Sequence, residues 1–249
     1  MTHHPSGQTA IPPGQATHCE GCSLSAHCLP GGLARDQMTD FDAIIHRPRP
    51  LRRGARLVRQ GAPFTSLYVV RSGSFKQVVV DAAHRELVTH FLLPSDVAGL
   101  DALGEARHPS SVVALESSFV CELPFGSLEA LGDRFPALRG ALYRSMSQVL
   151  ERDQGMNCLL SCASAETRMA SFLLDMSERF AARGYSPHGF QLAMSRADIG
   201  SFLGVALETV SRLLGRLQRQ GLISVEGRTL VLRDIPALEA RVSGTRPGR

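Results

Sequence analysis

The sequence predicts an α+β chain in which an N-terminal β-roll of the jelly-roll or small-barrel kind, a long helix and a C-terminal winged helix-turn-helix follow one another. Three observations carry this. Short β-type runs alternate with glycine turns from Leu51 to Pro124. The apolar period then becomes helical. Beyond Ser195, two short helical patterns meet at a glycine and lead into two strand-like runs. With 249 residues the chain exceeds one modest core. It divides into residues 1–28, a flexible start carrying cysteines; 29–136, the β-roll; 137–163, the long helix; and 164–249, the C-terminal domain.

Residues 1–18 hold Pro5, Pro12, Pro13 and Gly14 where an export signal needs an apolar stretch, and no run of 18 apolar residues exists. This predicts a cytoplasmic protein with no membrane partner. The six cysteines then meet a reducing compartment, where closely spaced thiols serve metal or redox chemistry more often than disulfides. Cys19, Cys22 and Cys28 form a C-x2-C-x5-C run, and the Pro- and Arg-rich stretch 47–53 separates them from the first core element.

The β-roll is read from Leu67 to Val70, Phe75 to Val80, Leu87 to Leu93, Val112 to Leu115 and Phe119 to Leu123, punctuated by Gly54, Gly61, Gly73 and Gly99. In the long helix Leu142, Val149 and Met156 stand seven residues apart, with Met146, Asp153 and Leu160 as the companion register. Such a seam pairs two subunits, or packs within one. Asp153 in a symmetric seam sets two carboxylates against each other and keeps a homodimer marginal; a helix rotated slightly would expose it to water instead. A further helix, about 165–182, buries Met169, Phe172, Leu173, Met176 and Phe180, and Arg183-Gly184 ends it.

Ser195 with Asp198 reads as a helix N-terminus before Ile199, Phe202 and Leu203, and Gly204 breaks that helix. The next helix, 207–220, buries Val210, Leu213, Leu214 and Leu217, leaving Glu208, Ser211 and Arg212 together on the outer face. Those groups suit base edges of double-stranded DNA: arginine for guanine, glutamate for cytosine, serine for a neighbour. Two strands around Glu226-Gly227-Arg228 form a wing whose Arg228 suits phosphate. A net charge of +4 is compatible with a polyanion without requiring one; the clustering of Arg196, Arg212, Arg216, Arg219, Arg228 and Arg233 says more.

Three thiols leave a metal one ligand short, and Cys121, His18 and His27 are the candidates, with Cys158 and Cys162 further along the chain. Spacing alone leaves zinc and an iron-sulfur cluster both open. A thioredoxin-like reading fails without a βαβ unit, and a c-type haem fails because Ser23 follows Cys22. No nucleophile triad or phosphate-cradling loop points to an enzyme.

Taken together, Cys19, Cys22 and Cys28, the stretch Val120-Cys121-Glu122-Leu123-Pro124-Phe125, Asp153-Gln154, and Glu208-Thr209-Val210-Ser211-Arg212 before Leu213-Leu214-Gly215-Arg216 resemble the CRP/FNR regulators, and among them the oxygen-sensing FNR branch. The resemblance covers about residues 17–240. It implies a 4Fe-4S cluster on Cys19, Cys22, Cys28 and Cys121 that supports a DNA-binding homodimer without oxygen and is degraded by oxygen. It also implies palindromic half-sites similar to TTGAT and RNA polymerase contacts at Ser72, Ser117 and Arg183. The superfamily often binds cyclic nucleotides, but Ser95-Asp96-Val97-Ala98-Gly99-Leu100 and His108-Pro109-Ser110-Ser111 depart from that motif, with no arginine directly before the serine. No cyclic nucleotide is therefore expected. Cys158 and Cys162 are read as packed thiols. A zinc-stabilised or thiol-based regulator answering another signal is the alternative.

Overall fold

The computed structural model describes residues 18–243. Of the expected flexible start, residues 1–17 lie outside the described residues. Residues 18–28 correct that expectation, because they fold. Three short 3-10 turns, Cys19–Gly21, Ser25–His27 and Leu29–Gly32, bury Cys19, Leu24 and Leu29. A helix that the sequence did not announce, α1 (Arg35–Ala43), follows and buries Phe41.

The β-roll consists of β1 (Arg56–Val58), β2 (Ser66–Ser72), β3 (Phe75–Val80), β4 (Glu86–Leu92), β5 (Val97–Ala98), β6 (Ser111–Ala114) and β7 (Phe119–Pro124). They form two antiparallel sheets, ordered β1-β6-β3-β4 and β5-β2-β7. Val70, Phe75, Val112, Ala114 and Val120 fill the space between them, so the β-branched runs supply both strand propensity and core. The β2–β3 turn requires Gly73: its φ is +76°, and a Cβ there would stand 2.2 Å from Ser118 Oγ.

Two helices close the roll, α2 (Phe125–Arg134) and α3 (Pro136–Cys162), with Pro136 starting α3 where a missing N–H costs nothing. At 27 residues α3 is about 40 Å long. The C-terminal domain holds α4 (Ala165–Ala181), β8 (Gly189–Gln191), α5 (Arg196–Leu203), α6 (Leu207–Arg219), β9 (Ile223–Glu226), β10 (Thr229–Leu232) and α7 (Ile235–Ala240). The wing is three-stranded, ordered β8-β10-β9. The α+β reading holds.

The two domains share one core. Val78, Val88, Phe91 and Leu93 of the roll belong to the same buried cluster as Phe172, Ile199 and Leu203, and the Phe91 ring lies 5.2 Å from Phe202 and 6.0 Å from Phe172. Lys76 of β3 meets Asp198 of α5 at 2.7 Å. Among the described residues no helix is long and apolar enough to cross a membrane.

Candidate DNA-reading surface and cysteine centre

The helix-turn-helix is built by local chemistry. Ser195 Oγ accepts the Asp198 N–H at 3.1 Å, and Asp198 Oδ2 accepts the Ser195 N–H at 2.9 Å, a reciprocal cap that starts α5. Gly204 ends it at φ +64°. Gly200 lets the turn close, since a Cβ there would lie 2.7 Å from Val205 O. α6 then buries Val210, Leu213, Leu214 and Leu217 and exposes Glu208, Ser211 and Arg212 along one outer face. Arg212 Nε donates to Glu208 O at 3.3 Å, leaving the outer nitrogens of the fork for a ligand. Arg228 is exposed at the β9–β10 turn. Arg216 is occupied within the chain, 2.9 Å from Glu166.

In α3 the structure divides the expected seam. Leu142 packs on the β-roll core, while Val149 and Met156 line a cleft of ≈ 590 Å³ between α3, β4 and α4. Leu160 leans toward Gly204 of α5. Among the described residues the large apolar side chains of this helix that reach solvent are Tyr143, 58% exposed, and Leu150, 60% exposed, with half-buried Met146 beside them, and, near the far end, Leu160, 41% exposed. Asp153 is partly exposed, with Oδ1 2.7 Å from His90 Nε2 on β4; the contact is an ion-pair approach outside good hydrogen-bond geometry.

Ser72, the last residue of β2, and Ser117, in the β6–β7 connection, lie together at one end of the roll, Ser72 half-buried and Ser117 exposed. Arg183 does not join them as a surface group. Its side chain is 7% exposed, bonded to Asp96 Oδ1 at 2.6 Å and to Pro94 O. Burial pushes its pKa down, against the pull of Asp96.

Cys121 sits on β7, paired with Val69 of β2, and faces the cysteine segment. Cys19 belongs to the core cluster beneath it, with Cys28 and Cys121 packed against that cluster. Every one of the four thiols lies within electrostatic reach of another: Cys121 and Cys28 raise the pKa of Cys19, Cys121 and Cys22 raise that of Cys28, and Cys22 raises that of Cys121. Burial is the larger cause in each case and takes Cys28 to about 12. Among the described residues no three such side chains stand in metal-ligand geometry.

The rival ligands are elsewhere. His18 contacts Asp42 Oδ2 at 2.5 Å, His27 is exposed, and Cys158 and Cys162 close the far end of α3. Sequence reasoning missed Asp42, whose Oδ1 accepts the Cys19 N–H at 2.9 Å and bonds Arg47. Burial pushes its carboxyl up, but bonds from His18, Cys19 and Arg47 hold it at about 2. Arg47 and Arg71 in turn oppose the upward shift of Cys121. Only the fold brings these groups to the cysteines, so no local signal marked them.

The stretch from Ser95 to Ser111 of the roll is internally bonded. Asp101 Oδ2 accepts Ser110 Oγ–H at 2.6 Å and Gln77 Nε2–H at 2.8 Å, and Arg107 donates to Gly61 O at 2.6 Å.

Comparison with known proteins fits this geometry. The Crp-like helix-turn-helix domain family matches residues 167–241, and the cyclic nucleotide-binding domain family matches residues 48–135. The chain is 43% identical to the anaerobic regulatory protein of Pasteurella multocida, over 93% of this chain and 85% of that one. It is 42% identical to the fumarate and nitrate reduction regulatory protein of Escherichia coli K12, over 94% of this chain and 93% of that one. The structure of FixK2 from Bradyrhizobium japonicum superposes with a TM-score of 0.73 at 27% identity, covering 83% of this chain and 99% of that one. These relatives are regulators and not enzymes, and on the strength of both domains and of the near full-length identity the chain belongs to the CRP/FNR family of DNA-binding transcription regulators.

Proposed function

We propose that this regulator senses oxygen through a 4Fe-4S cluster on Cys19, Cys22, Cys28 and Cys121, and that the cluster-bearing form is the DNA-binding homodimer. The observation that carries this reading is the path from the cysteines to α3. Cys28 is followed directly by the turn Leu29–Gly32, which packs on α3, and the opposite side of α3 presents Tyr143 and Leu150 to solvent. Gly31 keeps that turn tight, since a Cβ would lie 2.8 Å from Ala26 O.

What supports the group is the chemistry of the donors: Cys19, Cys22, Cys28 and Cys121 lie within electrostatic reach of one another, though not in ligand geometry, His18 is engaged by Asp42, and the guanidinium groups of Arg47 and Arg71 offset negative charge on the Cys121 side. When bound, the cluster supplies an iron-sulfide centre that oxygen degrades. The chain's own residues do the rest. Cys19, Cys22, Cys28 and Cys121 would each give a proton to solvent and hold the group, tying the segment 18–32 to β7, and Leu29 would carry that constraint to the N-terminal half of α3. Tyr143, Met146 and Leu150 form the seam with a second copy. Asp153, flanking that seam, weakens it and makes association depend on the cysteine segment.

On DNA, Glu208, Ser211 and Arg212 read bases in half-sites similar to TTGAT, and Arg228 binds phosphate. Ser72 and Ser117 offer one end of the roll to RNA polymerase; Arg183, buried against Asp96, is not part of that surface. Asp101 and the engaged Arg107 disfavour a cyclic phosphate, which would meet a carboxylate where it needs a cation.

Serine substitution tests the ligand set. In anaerobically purified protein, Cys121→Ser should lose iron and sulfide together while Cys158→Ser keeps both. Iron content unchanged in Cys121→Ser would refute this assignment.

A further inference from the structure

The last turn of α3 carries two thiols that neither DNA reading nor the four-cysteine centre uses. Cys158 is half-buried, Cys162 is exposed, and their sulfurs lie 3.9 Å apart. The helix sets this spacing, because residues i and i+4 stand one above the other on one face. Cys162 Sγ also reaches Cys158 O at 2.9 Å, which holds it over the preceding turn. The pair lies just ahead of Ser164, the N-cap of α4, where the long helix passes into the DNA-reading domain.

Sulfurs at this distance suit one chemistry better than another. A disulfide needs them at about 2.05 Å, so both side chains would have to turn toward each other and an oxidant would have to take up two electrons. Two corners of a tetrahedral ion with metal–sulfur bonds of about 2.3 Å are about 3.8 Å apart, a separation the pair already shows.

We propose that Cys158 and Cys162 form a second metal site, separate from the four-cysteine centre, that takes one soft divalent cation of the zinc and cadmium class. Each sulfur gives its proton to solvent and forms one metal–sulfur bond, water fills the other two corners, and no electron is transferred. An occupied pair staples the final turn of α3 next to the junction with α4.

Cadmium alone is the probe, added to anaerobically purified full-length protein. Wild type should bind one more cadmium per chain than Cys158→Ser or Cys162→Ser, with a matching loss of sulfur-to-cadmium ultraviolet absorption in either variant. Peptide mapping of wild type should show cadmium slowing alkylation of both thiols together. Equal uptake by wild type and the serine variants overturns the proposal, and so does protection of Cys162 without Cys158. Because the comparison is between wild type and these variants, its failure is distinct from failure of the cluster reading.

Discussion

Asp96, in the connection between β4 and β5, meets Arg179 of α4 at 2.6 Å across the boundary between the β-roll and the DNA-reading domain. Arg183 takes the other carboxylate oxygen, also at 2.6 Å, and Arg179 further donates to Phe91 O at 2.7 Å. Burial alone would push the Asp96 pKa up; Arg179 and Arg183 outweigh it and hold the carboxyl below its ordinary value. A movement of α4 relative to the roll must therefore break or carry this ion cluster.

Asp96→Asn leaves two buried guanidinium groups without their counter-charge, and breaking a buried pair from one side costs about 3–5 kcal/mol. The folded pKa lies below the unfolded one, so the stabilisation is complete above about pH 4 and is lost as pH falls through the folded value. Urea unfolding should show the variant weaker at neutral pH and less sensitive to acid than wild type.

Gly200 should tolerate no side chain. A Cβ 2.7 Å from Val205 O forces the α5–α6 turn apart, at a cost of about 1–3 kcal/mol for overpacking. Gly200→Val should lose specific DNA binding while thermal melting still shows a folded β-roll.

Arg212 and Arg228 should fail differently. Arg212→Ala should cost about 1–3 kcal/mol and relax discrimination at one base position. Arg228→Ala should weaken all sequences alike and reduce the salt slope by about one unit. Binding isotherms on a half-site series at several salt concentrations separate the two.

The exposed stripe of α3 should govern association. Leu150→Glu should leave a monomer in sedimentation even without oxygen, because it buries a charge in an apolar seam. Asp153→Ala should shift the balance toward dimer in air, and Leu142→Ala should act on fold stability instead, since Leu142 packs on the core of its own roll.

The helix-turn-helix was readable because its signals are local: Ser195 with Asp198, Gly204, and the inward set Val210, Leu213, Leu214 and Leu217 each specify their own geometry. The strands β2, β3, β4, β6, β7, β9 and β10 were readable for the same reason, whereas the two- and three-residue strands β1 and β5 were not. The face of α3 was not, because Leu142, Val149 and Met156 satisfy a heptad seam and an intrasubunit packing face equally well. The burial of Arg183 depends on Asp96, 87 residues away in sequence, and the anchoring of Cys19 on Asp42, 23 residues away. α1, β8 and α7 are short and are held mainly by their neighbours in the fold.

The central claim is tested most directly by purifying the protein without oxygen and following visible absorption, iron, sulfide and specific DNA binding before and after admitting air. A brown protein with about four irons per chain that loses colour and DNA affinity together is the expected result. A colourless, zinc-bearing protein whose DNA binding ignores air would contradict it, leaving the DNA-reading surface in place and removing the oxygen signal.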